Sequence, residues 1–158
     1  MSEHKQEVES ASLRITPVVT CFLLHRDGEH ERLCLVRRSS RVGSYNARWA
    51  GISGFIEPGV SPEEQAYTEI REETGLSKEQ VHLLKRGEIV EYRDQALNRH
   101  WLVHPFLVEV PDITAMKLDW EAEEMRWIEP AELENYETVP RLQEAFLSAS
   151  QGKPIGAQ

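Results

Sequence analysis

The stretch Gly54-Phe55-Ile56-Glu57-Pro58-Gly59-Val60-Ser61-Pro62-Glu63-Glu64-Gln65-Ala66-Tyr67-Thr68-Glu69-Ile70-Arg71-Glu72-Glu73-Thr74-Gly75-Leu76 decides how this chain is read. Its middle carries the clearest helix ends in the sequence. Ser61 is placed to cap the first turn, Pro62 fits the first helical position, Glu64 completes a capping box, and Gly75 supplies the stop, so a helix is expected over residues 62–74. A helix advances about 100° per residue, which gathers Glu69, Glu72 and Glu73 within an arc of roughly 100°. Three carboxylates on one face repel unless they are solvated, paired with basic groups or neutralised by a cation. Carboxylate oxygens are hard ligands, and with no His or Cys beside them in sequence the set suits magnesium or manganese better than zinc. The spacing alone also describes a solvated acidic face.

The longer run narrows the choice. A glycine loop leads into the helix, and Gly54, Glu69, Ile70, Glu72, Glu73, Gly75 and Leu76 fall at unbroken spacing. This pattern resembles the Nudix box: glycine, five residues, Glu, seven residues, Arg-Glu, an aliphatic, any residue, Glu-Glu, any residue, glycine and an aliphatic. The resemblance extends over about residues 13–148, and it implies an α/β fold, an α/β/α sandwich around a mixed sheet. It further implies a hydrolase that uses Mg2+ (or Mn2+) held by Glu69, Glu72 and Glu73 to cleave a diphosphate linkage in a nucleoside diphosphate derivative. The same three glutamates are the candidate catalytic residues, and the glycine loop is expected to admit the diphosphate closely.

Two box positions differ, with Val60 in place of the family glutamate and Thr68 in place of the arginine. The missing groups have opposite charge, so losing both avoids stranding one, which is the costly case. The two substitutions keep a second reading open, a Nudix-fold module that binds a nucleotide or a protein partner without turning it over. A P-loop reading of residues 54–61 fails because no lysine is present and Glu57 would put a negative charge in the phosphate cradle.

Outside the box, residues 15–25 and 32–37 read as strands of a hairpin turning at Asp27-Gly28. Residues 81–93 and 100–110 read as a longer hairpin, residues 125–128 as a strand, Pro130 as the start of a helical turn, and residues 141–148 as a closing helix. The tail from about residue 150 is expected to fray. With 158 residues the chain makes one domain with a core at about residues 13–148. Cys21 and Cys34 lie in apolar runs and read as core thiols.

A formal net charge of −9 points away from nucleic-acid backbones as partners. No run is long and apolar enough for a membrane span. The polar residues 1–12 lack an export signal, so a cytoplasmic location is expected. The expected partner is a small phosphorylated molecule, and for oligomeric state the general default is a homodimer. Substrate contacts are expected from Gly54, Glu57, Arg37, Arg38 and Trp49, with Arg48, Tyr45 and Trp101 as further candidates, because phosphates favour guanidinium forks and bases favour aromatic faces. Glu57, Glu91, Glu121, Glu123 and Glu124 are the other acids from which a general base would be drawn. His100 and His104 read as structural.

Overall fold

The central strand β1 (Arg14–Asp27) is buried on both sides over residues 19–24, the mark of a strand with each face covered. It runs parallel to β7 (Arg99–Glu109), in register from Arg14↔Arg99 to Leu24↔Glu109. Alternate residues then feed two cores. Val19, Cys21 and Leu23 join Phe106 and Val108 on one face, while Phe22, Leu24 and Leu107 face the other way. The first face is covered by helix α1 (Pro62–Thr74) through Ala66 and Ile70, the second by helix α2 (Leu142–Ser150) through Leu142, Ala145 and Ala149. The computed structural model, which describes residues 13–156, is therefore the expected α/β/α sandwich around a mixed sheet. The polar N-terminal segment lies outside the described residues. Among these residues no helix is long and apolar enough to cross a membrane.

The opening hairpin forms as read, β1 pairing antiparallel with β2 (His30–Arg38) between Asp27↔His30 and Leu24↔Leu33. The two strands then part. On β2 the vacated edge is taken by β3 (Trp49–Ala50), on β1 by β4 (Ile52–Phe55). Gly51 makes the crossing between them, where a Cβ would stand 2.8 Å from the Cys21 carbonyl oxygen. The far edge of β2 pairs with β8 (Ala122–Ile128). Cys21 and Cys34 are free and buried, and burial pushes both thiols up, Cys34 to about 12.

Two expectations are corrected. The strand read over residues 81–93 is two strands, β5 (His82–Arg86) and β6 (Val90–Asp94), which pair with the outer and inner halves of β7. The gap between them receives the end of α2, where Ser148 Oγ donates to the Glu88 carbonyl at 2.7 Å. The tail does not fray at residue 150. Lys153–Pro154 forms β9 against β5, and the Ile155 N–H donates to the Leu84 carbonyl at 2.9 Å while its side chain packs on the α1-side core.

Candidate active site

Helix α1 spans the residues expected. Ser61 Oγ accepts from the Glu64 N–H at 3.2 Å, Pro62 opens the helix, and Gly75 closes it in the left-handed conformation at φ 77°. With Ala66 and Ile70 fixed in the core, the carboxylates meet the protein in graded fashion. Glu72 is exposed, Glu69 half-buried, and Glu73 only 8% exposed. The Oε2 of Glu73 has no hydrogen-bond partner among the described residues. Burial, followed by the charges of Glu121 and Glu69, pushes the Glu73 carboxyl up to about 10, and the Arg38 guanidinium opposes the rise. Burial and then Glu72 push Glu69 up to about 7.

Glu69 is held from two sides. Gln65, buried one turn earlier, donates from Nε2 to Glu69 Oε2 at 3.3 Å and accepts the Glu57 N–H at 3.1 Å, which ties the helix to the glycine loop. On the other side lies Gly54 in β4, where a Cβ would overlap the Glu69 carboxylate. The box glycine thus leaves the space that Glu69 occupies.

Glu121, just ahead of β8, is the fourth acid. Its charge acts on Glu73 and Glu69, and its own carboxyl is raised by burial and by Asp119 and lowered by Arg38. Glu69 and Glu121 open on a cavity of about 460 Å³, which Gly54 and Arg38 also line. Arg38 reaches it with Nε bonded to the Ser44 carbonyl at 2.9 Å, which also anchors the loop over residues 39–48. The same cavity is lined by the aromatic residues Tyr45, Tyr92 and Trp101 and by the exposed Phe55 and Trp120. Trp101 Nε1 donates to the Tyr45 hydroxyl at 3.1 Å, and that hydroxyl donates to Asp94 at 2.6 Å.

Of the substrate contacts expected from sequence, Gly54 and Arg38 share the cavity with Glu69, as do Tyr45 and Trp101. Glu57 is exposed in the loop and does not line it. Arg37 and Trp49 line a different pocket, with Arg126 and Tyr136. Successive residues of a strand face opposite ways, so Arg37 and Arg38 part company, and Arg37 pairs instead with Glu123 at 3.4 Å. Trp49 is 8% exposed beneath the Arg126 guanidinium, 5.0 Å from its ring centroid. Arg48 pairs with Glu137 at 3.7 Å. Of the other acids, Glu91 bonds His100 and Glu124 bonds Arg126. Sequence reasoning did not single out Phe55, Tyr92, Arg99 or Trp120, and only the box loop for Phe55 offered a signal.

As the side chains stand, no three His, Cys, Asp or Glu groups among the described residues converge closely enough to hold an ion. The donor set nevertheless fits a hard divalent cation. Carboxyls that raise one another, with a buried carboxylate oxygen left unpartnered, are relieved by positive charge supplied from outside the chain.

Residues 14–148 match the NUDIX domain. A curated relative, the RNA pyrophosphohydrolase of Erythrobacter litoralis, is 28% identical over 137 residues, covering 77% of this chain and 80% of its own. Among solved structures, a C. elegans Ap4A hydrolase binary complex superposes with TM-score 0.72 at 16% identity over 85% of this chain and 95% of that one. The NUDIX domain of Shewanella oneidensis NrtR, complexed with ADP ribose, superposes with TM-score 0.70 at 14% identity over 96% and 98%. The class defined by fold and site is that of hydrolases acting on pyrophosphate linkages. The chain belongs to the Nudix family.

Proposed function

We propose that the protein is a magnesium- or manganese-dependent hydrolase that cleaves the diphosphate linkage of a nucleoside diphosphate derivative. The observation that carries this reading is the buried carboxylate oxygen of Glu73, without a hydrogen-bond partner among the described residues, in a cluster with Glu69 and Glu121 beside a cavity lined by aromatic residues. Glu69, Glu72 and Glu73 would hold the cation. Bound there, a divalent cation polarises a phosphoryl oxygen and lowers the pKa of water.

The remaining work falls to the chain. Gln65 and Gly54 set the position of Glu69. Glu121, which lines the cavity, takes the proton of the attacking water. Arg38 faces the phosphoryl charge and steadies the acids, since its guanidinium lowers both Glu73 and Glu121. This also supports activity despite Thr68, whose hydroxyl donates within the helix to the Glu64 carbonyl at 3.1 Å, because a guanidinium reaches the acids from β2.

The relatives' names point to different compounds, RNA and Ap4A for the two hydrolases and ADP ribose as the molecule complexed with NrtR. The test is therefore a panel of nucleoside diphosphate and triphosphate derivatives, including an RNA oligonucleotide with a 5′ polyphosphate. Monophosphate or phosphate release is measured with magnesium, with manganese and with chelator. Release that depends on metal and falls by orders of magnitude in Glu73→Gln is expected. Silence across the panel, together with metal-dependent thermal stabilisation, would replace the enzyme with a binding module.

A further inference from the structure

The box departs from its family at two positions, and among the described residues neither side chain there is bonded to a carboxylate. Val60 has no polar side-chain atom, and the Thr68 hydroxyl is occupied by the Glu64 carbonyl of its own helix at 3.1 Å. A glutamate at the first position would stand at the end of the glycine loop, and an arginine at the second would stand on α1 next to Glu69. Paired, the two would join loop to helix beside that carboxylate. In this chain a different side chain makes the join.

Gln65 is 3% exposed, on the face of α1 that also buries Ala66 and Ile70. A buried amide left without partners is costly, and this one has a partner at each end. Its Oε1 accepts from the Glu57 N–H in the loop at 3.1 Å, and its Nε2 donates to Glu69 Oε2 at 3.3 Å. Glu69 lies four residues on, where helical side chains meet.

The loop end of this tie is shaped in advance. Glu57-Pro58-Gly59-Val60 forms a turn closed by the Val60 N–H on the Glu57 carbonyl at 3.1 Å, with proline second and Gly59 third at φ 81°. Gln65 fastens the first residue of that turn to the helix. Apart from the cap at Ser61, its side chain is what bonds this loop to α1 among the described residues.

We propose that Gln65 is a positioning residue that replaces the missing charged pair, a neutral tie that fixes both the glycine loop and the Glu69 carboxylate. The two kinds of tie are then interchangeable. A neutral one suits this chain, because Arg38 already brings a guanidinium into the cavity that Glu69 lines. This role rests on the cation site proposed for α1, so the experiment reads metal binding rather than turnover.

Manganese binding to the full chain is measured by calorimetry, with Tm alongside. Gln65→Met keeps the side-chain length and removes both bonds, while Gln65→Ala removes them and favours the helix. Each is expected to weaken manganese binding about tenfold or more, the scale on which losing a group that orients a metal ligand acts. Ser61→Ala is the control, since loss of the cap lowers Tm without touching Glu69 and should leave manganese affinity within about twofold. In a Val60→Glu/Thr68→Arg background, Gln65→Met should cost less than about threefold, because the charged pair takes over the tie. If Gln65→Met does not fold, Gln65→Ala carries the same comparison. Affinity losses that merely follow Tm across the three single variants overturn the proposal, as does a Gln65 effect of equal size in both backgrounds. A wild type that binds manganese no better than its Gln65 variants removes the positioning role alone, whereas a wild type that binds none removes the cation site and the hydrolase reading with it.

Discussion

The two helices that cover the sheet are built on opposite plans. Helix α1 is specified by its ends, with Ser61, Pro62 and Gly75 each at its capping station, yet its buried face carries Gln65 and Glu73 beside Ala66 and Ile70. Helix α2 starts from Arg141 in the left-handed conformation, at φ 65°, with no side-chain cap, and buries Leu142, Ala145 and Ala149. One helix is held by local chemistry and gives its inward face to charge. The other is held by packing. A buried carboxylate is a local conflict of the kind that marks function, and the strong caps of α1 offset part of its cost.

That division is open to attack from both sides, and the largest effect is expected at the contact between α1 and β4. Gly54→Ala puts a methyl group where the Glu69 carboxylate lies, and the flexible glutamate is what gives way. A misplacement of about 1 Å costs on the order of a hundredfold in turnover. Steady-state kinetics should show that loss while thermal unfolding stays near wild type. A variant that kept full kcat/KM would remove Gly54 from the site.

On the α2 side the effect should be reversed. Phe146 packs edge-to-face on Phe22, with centroids 5.2 Å apart, and does not line the active-site cavity. Phe146→Ala should cost about 2–3 kcal/mol in urea unfolding, less than a fully buried phenylalanine because this one is partly exposed. Its kcat should not move, and a fall in kcat would show that the two faces are coupled.

The smallest expected effect is a pH dependence of stability without metal. Burial and neighbouring charge push the Glu69 and Glu73 carboxyls up to about 7 and about 10, so the folded state binds more protons than the unfolded one from the ordinary carboxylate value up to those values. Stability then falls as pH rises, from about pH 4.5 through 7 and on toward 10. In chelator the Tm should drop by a few degrees from pH 5 to pH 8, magnesium should restore more of it at pH 8, and Glu73→Gln should flatten the slope. A Tm that rose with pH would contradict the buried-acid description.

The helix and its acids were legible because capping and helical period act within a few residues, and the expected span 62–74 matches α1. The apolar run of residues 15–25 likewise read as a strand, as β1 is, although that both its faces are covered was not read from it. Less was legible where partners come from afar. Arg37 and Arg38 are equivalent in sequence, but the facing of β2 sends one to Glu123 and the other to the cavity. The break between β5 and β6 depends on the end of α2, some 60 residues later.

By itself, then, the amino-acid sequence determined the carboxylate helix and the glycine loop before it, which follow from spacing along the chain, and through its resemblance to the Nudix box it implied the class of chemistry. Only the tertiary structure decided that Glu121 among five candidate acids joins the cluster, that Gly54 makes room for Glu69, and that Phe55 and Trp120 face one cavity. Burial and charge coupling are properties of atoms brought together through space, and the chain carries no local record of them.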